Sequence, residues 1–271
     1  MGKKMIRTAI VGAGSAVAAG LMVSGKMEVG YYTVVTPKLN RAVRLAVVSD
    51  LHGHMNGTTA EALFTKIQDQ TPDAIVLPGD IVDDKRDSGF AYTLLDQLGK
   101  TFACYYVTGN HELRRKDHET AVEEIRRRGI HVLNGDTKRL NVFGQQLEFS
   151  GADAQEIGMS QWREQLSKCE EERNPERFSI HLCHRPNYPK WFQKAGFDLV
   201  ISGHAHGGQI RLPGTKISLI APQQGLLPKY TSGLYELGDT QLAVSRGLST
   251  GSWPRIFNPP ELMILDLLPK I

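Results

Sequence analysis

The chain has 271 residues, of which 41% are hydrophobic and 23% charged, a composition typical of a folded domain and not of a disordered one. Residues 1–26 contribute +4 to the net charge of +3, and the rest of the chain contributes −1. The body therefore lacks the positive charge that a nucleic-acid-binding surface needs, and no nucleic-acid partner is expected.

The N-terminus has the pattern of a membrane-targeting segment. The uncharged, largely apolar stretch Thr8–Gly25 lies between Arg7 and Lys26, and as a helix it would span roughly 27 Å, close to the roughly 30 Å of a bilayer core. Basic residues before it favour a cytoplasmic N-terminus. We predict that residues 1–26 anchor the protein in a cell membrane, with the body outside the cytoplasm. The alternatives are a cleaved signal peptide, which would give a secreted protein, and a cytoplasmic location.

After a predicted linker at 27–42, residues 43–271 are expected to form one domain. Three continuous apolar runs have the pattern of strands covered on both faces: Val43–Ser49, Ala74–Leu77 and Phe102–Thr108. Helices are predicted between them, the first opened by a capping box of Thr58 and Glu61. The alternation of strands and helices predicts a mostly parallel sheet.

From residue 130 onward the pattern changes to shorter strands separated by Gly and Pro turns. Further strands are predicted at 130–133, 139–143, 146–150, 178–183, 197–202, 217–220, 232–236, 241–245 and 261–267, with a helix near 160–172. The last four of these strands are expected to be antiparallel.

Five short motifs carry oxygen and imidazole groups, and each follows an apolar run. They are Asp50-Leu51-His52, Gly79-Asp80-Ile81-Val82-Asp83, Gly109-Asn110-His111-Glu112, His184-Arg185-Pro186 and Gly203-His204-Ala205-His206. Ligands bind beyond the carboxyl ends of strands in open α/β sheets, so we expect these motifs to meet. Asp50 and His52, two apart on an extended segment, would point to the same side.

The types of these side chains favour metal binding. Carboxylate, amide and imidazole ligands suit Zn, Fe or Mn better than Ca or Mg. Asp80 could bridge two cations, and Asn110 offers an amide oxygen. His181 lies inside a predicted strand, where a core histidine is the better interpretation.

This set of motifs resembles the calcineurin-like metallophosphoesterases over about residues 43–268. Residues 198–209 and 244–261 resemble in particular a bacterial membrane-associated branch, which includes predicted phosphodiesterases and UDP-diacylglucosamine pyrophosphatases. The resemblance implies an α/β fold of four layers, an α/β/β/α sandwich of two mixed β-sheets flanked by helices.

The resemblance also implies a ligand set for two divalent metal ions. One ion would be held by Asp50, His52, Asp80 and His206, and the other by Asp80, Asn110, His184 and His204. Such a pair lowers the pKa of a bridging water and holds the attacking and leaving oxygens of an in-line displacement.

Other candidates surround these ligands. His111 could protonate the leaving oxygen or stabilise its charge, and the resemblance pairs it with Asp83. Arg246 and Arg255 are candidates for binding substrate, because a guanidinium matches phosphate oxygens in pairs. The run Arg114-Arg115-Lys116 follows the third motif directly, and a phosphate contact there stays open.

We therefore predict a monomeric, dinuclear metallophosphoesterase that uses a metal-bridged hydroxide. Its substrate would be a phosphodiester, a diphosphate or a phosphomonoester, and a membrane-proximal, nucleotide-linked lipid is a hypothesis. The alternatives are a non-catalytic binding scaffold of the same fold and a protein serine/threonine phosphatase. The complete ligand set argues against the first, and the short loops between motifs argue against the second.

Overall fold

The computed structural model describes residues 26–213, 215, 217–249 and 254–270. Two six-stranded sheets face each other, and helices cover their outer faces. The predicted four-layer α/β/β/α fold is therefore confirmed. The predicted anchor at 1–26 lies, except for Lys26, outside the described residues. Within the described residues, no helix is long and apolar enough to cross a membrane.

The first sheet mixes parallel and antiparallel strands. Its strands, numbered along the chain and given in spatial order, are β1 (Glu28–Thr36), β15 (Glu261–Pro269), β2 (Val43–Val47), β3 (Ala74–Leu77), β4 (Ala103–Tyr106) and β5 (His131–Val132). Strands β2 to β5 are parallel, and β15 runs antiparallel to β2.

Most of the segment predicted as a linker is a strand of this sheet. β1 pairs in parallel with β15 along its full length. It lies at the edge of the sheet, where only Val34 and Thr36 are buried. An edge strand of this kind lacks the continuous apolar run by which the central strands are recognised.

The second sheet is also mixed. In spatial order its strands are β13 (Gly233–Leu237), β14 (Thr240–Val244), β9 (Leu199–Ser202), β8 (Phe178–Cys183), β7 (Gln145–Ala152) and β6 (Asp136–Val142). β14 is parallel to β9, so the C-terminal region is not purely antiparallel as predicted. A small antiparallel sheet consists of β10 (Ile210–Arg211), β11 (Ser218–Ala221) and β12 (Gly225–Leu226).

Six helices are described, in addition to 3-10 turns at Gln155–Ile157 and His206–Gly208. They are α1 (Ala60–Gln68), α2 (Gly89–Thr101), α3 (Asn110–Arg114), α4 (His118–Arg127), α5 (Met159–Glu172) and α6 (Pro189–Ala195). The seven-residue α6 is not among the predicted helices. The N-cap of α1 is Thr59, whose hydroxyl accepts from the backbone N–H of Ala62 at 3.2 Å, so the predicted capping box is wrong by one residue.

Three apolar clusters hold the layers together. The central cluster lies between the sheets and includes the stacked rings of Tyr105 and Phe149, with centroids 3.9 Å apart. A second cluster joins α1, α2 and α4 to the first sheet. The third packs Trp162 of α5 and Phe192 of α6 against the second sheet. Both sheets are therefore covered on both faces, and the loops at their strand ends are left to form a site.

Candidate metal centre

All five motifs lie at one end of the sandwich, in loops that are hydrogen-bonded to one another. The backbone N–H groups of Asp50 and His52 donate to the carbonyls of Gly79 and Asp80, at 3.1 and 3.0 Å. The N–H of His204, from the second sheet, donates to Asp50 Oδ1 at 2.9 Å. The predicted meeting of the motifs is thus observed, and it ties the two sheets together.

Most of the candidate ligands have an unusual backbone conformation. Five non-glycine residues of the motifs have φ between 47° and 65°, in the left-handed region: Asp50, His52, Asp80, His204 and His206. Side chains with a Cβ rarely adopt this conformation, and such strain is concentrated at functional sites. Asp50 and His52 are therefore not on an extended segment as expected, because the loop turns at each of them.

The first ligand group consists of Asp50, His52 and His206, and all three are buried. Nε2 of His52 lies 3.3 Å from Nε2 of His206. Nε2 of His206 lies 3.9 Å from Oδ1 of Asp50. Three potential ligand atoms thus surround one point.

The second ligand group consists of Asp80, His184 and His204. Nε2 of His184 lies 3.2 Å from Asp80 Oδ2 and 3.1 Å from Nδ1 of His204. Asp80 Oδ2 also lies 4.0 Å from Nε2 of His52, in the first group. One carboxylate oxygen is therefore within reach of both groups.

The buried amide of Asn110 tests whether this set of residues fits a cation. It faces His184 Nε2 and His204 Nδ1, with distances of 3.3 and 2.9 Å to the nearer amide atom. With its nitrogen turned toward them, the amide donates two hydrogen bonds. With its oxygen turned toward them, lone pairs of the amide oxygen and of the two imidazole nitrogens converge on one point. A bound cation needs this arrangement. The residues present fit a divalent metal.

Burial and mutual charge shift the pKa values of these groups in opposite directions. Burial raises the pKa of Asp50. Although burial opposes the shift, the charge of His184 holds the pKa of Asp80 well below its usual value. Burial likewise disfavours a charged His184, yet Asp80 raises the pKa of this imidazole to about 9. Asp80 and His184 therefore each favour the charged form of the other.

Glu112 organises the loop that carries Asp80, a role not predicted from the sequence. Its Oε2 accepts from the backbone N–H groups of Asp80 and Gly109, and its Oε1 accepts from those of Ile81 and Val82. Burial raises its pKa to about 7, and the charge of Asp80 adds to the effect. The only sequence signal for this role is the position of Glu112 in the third motif.

Close backbone approach explains the glycine of the third motif. A Cβ on Gly109 would overlap the carboxylate of Asp80. The loop after β4 can therefore contact the shared carboxylate only with glycine at this position.

His111 lies beside the ligand groups and is held by two carboxylates. Its Nδ1 is 2.6 Å from Asp84 Oδ1 and 3.3 Å from Asp83 Oδ2. The same Asp83 oxygen is 3.1 Å from Nδ1 of His52. Asp83 thus lies between two imidazoles, and Asp84, which was not among the predicted site residues, is the nearer partner of His111.

A cavity of about 230 Å³ opens above the ligand groups. Arg114 contributes its cationic side chain, which is 47% exposed. Gln209, Pro222 and Gln223 also line the cavity. The cavity is small, open to solvent and lined mainly by residues with polar side chains, as a phosphate site would be.

The predicted substrate-binding arginines have other contacts. The guanidinium of Arg246 donates to Glu28 and Glu261, at 3.0 and 3.1 Å. Arg255 is only 1% exposed and lies 3.4 Å from Nδ1 of His206, and burial lowers its pKa to about 9. A direct clamp on substrate, as predicted, is not the arrangement of these side chains, because one is held by carboxylates and the other lies beneath a candidate ligand.

His181 is buried in β8. Its Nδ1 is 3.0 Å from the hydroxyl of Ser150, and its ring stacks on Phe197. The interpretation of His181 as a core histidine fits these contacts.

Comparison with known proteins identifies the family. The model of the calcineurin-like phosphoesterase family matches residues 43–208. The chain belongs to the calcineurin-like phosphoesterase family. It is thus a metallophosphoesterase, a hydrolase of phosphoester bonds, and both the family and the ligand groups support binding of divalent metal ions.

Two bacterial metallophosphoesterases, both uncharacterized, are similar to this one. A Campylobacter jejuni protein is 30% identical over 256 residues, covering 90% of this chain and 64% of the relative. YkuE of Bacillus subtilis is 29% identical over 291 residues, with 98% of both chains covered. The chain thus spans just under two thirds of the first relative and nearly all of the second. The crystal structure of phosphopantetheinyl hydrolase from Mycobacterium tuberculosis is 12% identical, with a TM-score of 0.47, 76% of this chain covered and 89% of that one.

Proposed function

We propose that this metallophosphoesterase uses two divalent metal ions to hydrolyse a phosphodiester, a diphosphate or a phosphomonoester. The observation that carries the proposal is the position of Asp80 Oδ2, within 4.0 Å of His52 Nε2 and 3.2 Å of His184 Nε2. When bound, two cations would supply a nucleophilic water at neutral pH and neutralise charge on the phosphoryl oxygens.

The ligands would divide as the two groups suggest. Asp50, His52 and His206 would hold one ion. His184, His204 and the amide oxygen of Asn110 would hold the other, and Asp80 would be shared between them. Mn, Fe and Zn are the candidates, because this mixture of oxygen and nitrogen ligands suits them.

His111 would give a proton to the leaving oxygen. Its Nδ1 is occupied by Asp84 and Asp83, so Nε2 is the nitrogen available for proton transfer. Arg114, on the wall of the cavity, would contact the phosphate oxygens in place of the arginines named from the sequence.

We further propose that the enzyme is a monomer that works at the outer face of a bacterial membrane on a lipid-linked substrate. Support comes from the apolar stretch at 8–25 and from the resemblance of residues 198–209 and 244–261 to the branch that includes UDP-diacylglucosamine pyrophosphatases. If chains with and without residues 1–26 turn over the lipid substrate in bilayers equally well, tethering has no catalytic role.

A substrate panel tests the proposed chemistry. The full chain, loaded with Mn, would be assayed on a diester, a nucleotide diphosphate, a monoester and a phosphopeptide. We expect turnover of at least one small substrate. Metal binding without any turnover would favour the scaffold, and turnover of the phosphopeptide alone would favour a protein phosphatase.

A further inference from the structure

Exposed apolar side chains are concentrated beside the cavity. Among the described residues, eight large hydrophobic side chains are exposed, and five of them lie between 212 and 227: Leu212, Ile217, Ile220, Leu226 and Leu227. All five belong to or flank β10, β11 and β12, which we name the rim sheet (residues 210–227). Soluble monomers seldom expose such a group of side chains unless it contacts something.

The charge of this region is one-sided. Residues 199–235 contain no Asp or Glu, but they include Arg211, Lys216 and Lys229. Lys229 also lies over the ring of Tyr230. Aliphatic side chains beside lysines, with a tyrosine next to them, are typical of surfaces that lie in the headgroup region of anionic lipid. Protein interfaces are instead depleted in lysine.

The rim sheet is joined directly to the metal centre. The hydroxyl of Ser218 in β11 donates to the carbonyl of Gly207 at 2.9 Å. Pro222 and Gln223, between β11 and β12, line the same cavity as His206. A surface that contacts the rim sheet would therefore lie next to the mouth of the active site.

The N-terminal end of the described chain lies at the same edge. Glu28 is hydrogen-bonded to Arg246, and the stem of Arg246 lies 3.0 Å from the position of a Cβ on Gly207. The described chain therefore begins near the His206–Gly208 turn, to which Ser218 of the rim sheet is hydrogen-bonded, and the predicted membrane segment at 8–25 precedes it in the sequence. Both features would meet one membrane on one side of the molecule.

From these observations we infer that the rim sheet is a membrane-contact surface, seated in the headgroup region of a bilayer that contains anionic lipid. Leu226, the last residue of β12, and Leu227 after it would enter the lipid, and Lys229 would face the phosphates. The cavity would then open toward lipid headgroups. This contact requires neither bound metal nor turnover, so it can fail while the proposed chemistry holds.

Fluorescent probes at two matched positions test the inference. Leu226→Cys and Phe143→Cys would each be made in the full chain and labelled with an environment-sensitive dye. The native cysteines are all buried, and the two positions are equally exposed, at 78% and 77%. Labelled protein would be mixed with phosphatidylethanolamine–phosphatidylglycerol vesicles that carry a nitroxide quencher at headgroup depth.

The dye at 226 should lie at the headgroup–acyl boundary, close to the quencher, and lose most of its emission, while the dye at 143 keeps its emission. Equal emission at both positions in the vesicle-bound protein would overturn the inference, as would failure of the protein to bind these vesicles. A spectral shift at 226 that depends on protein concentration without vesicles would indicate a second copy of the chain instead, and would also overturn it.

Discussion

Oδ2 of Asp80, in the loop after β3 of the first sheet, lies 3.2 Å from Nε2 of His184, directly after β8 of the second sheet. The same oxygen is 4.0 Å from Nε2 of His52. A carboxylate and an imidazole that are both buried need a compensating charge, which they supply to each other here and which cations would supply in the loaded enzyme. This contact also joins the two halves of the sandwich across the active site.

Replacing Glu112 with Gln should disturb the loop that carries Asp80. The carboxylate accepts four backbone hydrogen bonds, and an amide would turn its NH₂ group toward some of these donors. We expect the free energy of unfolding to fall by about 1–3 kcal/mol and metal affinity to fall with it. Denaturant unfolding and metal titration would measure both. The exposed Glu119→Gln on α4 is the control, and a Glu112 variant as stable as this control would contradict the role.

His111→Asn should slow hydrolysis most for poor leaving groups. An alkoxide needs a proton as it departs, whereas p-nitrophenolate leaves without one. We expect a loss of about 10²-fold or more in kcat for an alkyl ester and a much smaller loss for the p-nitrophenyl ester. Asp84→Asn should also lower kcat for both esters, but by a smaller factor, because it removes only the carboxylate that holds Nδ1 of His111. Equal losses for the two esters would exclude His111 as the proton donor.

Arg114→Ala should weaken binding of the phosphoryl group without removing metal. We expect kcat/KM to fall by about 10- to 100-fold, the kinetic equivalent of one charge-assisted hydrogen bond. Arg126→Ala on α4 is a matched control, since its side chain is similarly exposed, at 49%, and is paired with Glu123. Steady-state kinetics and metal content of both variants would decide. An unchanged kcat/KM for Arg114→Ala would show that Arg114 does not bind the phosphoryl group.

His181 should make the fold less stable in acid. Burial lowers its pKa from 6.5 to about 3, so between these pH values the unfolded chain binds a proton that the folded chain does not. The free energy of unfolding should therefore fall by about 1.4 kcal/mol for each pH unit below 6.5. In His181→Leu this part of the slope should be absent. The free energy of unfolding of both proteins would be measured in urea from pH 7 to 5. If His181 does not contribute, plots of this free energy against pH would be parallel for the wild-type protein and His181→Leu.

The sequence predicted what depends on local pattern. β3 and β8 begin and end as expected, because continuous apolar runs are typical of strands covered on both faces. The sequence of β1 instead predicts a linker, because an edge strand has no such run. Pairing of β14 with β9 depends on contacts between distant segments, which strand patterns do not reveal.

In the candidate metal centre, too, local motifs could be predicted and contacts between distant segments could not. The residues of the two ligand groups can be named from the sequence because each follows a strand and belongs to a short motif. Two partners were not predicted: Asp84 for His111, and Glu112 for the loop after β3. Both act through hydrogen bonds between residues about 30 apart, and the turns at Asp50 and Asp80 that make such contacts possible leave no mark in the hydrophobic pattern.

The central claim is that one carboxylate, Asp80, is shared by two cations. Electron paramagnetic resonance of the manganese-loaded full chain tests it most directly, together with metal content and turnover. We predict two ions per chain with an exchange-coupled spectrum, and loss of both coupling and turnover in Asp80→Asn but not in His181→Leu. A single uncoupled ion in a fully active enzyme, or coupling that survives in Asp80→Asn, would contradict the account.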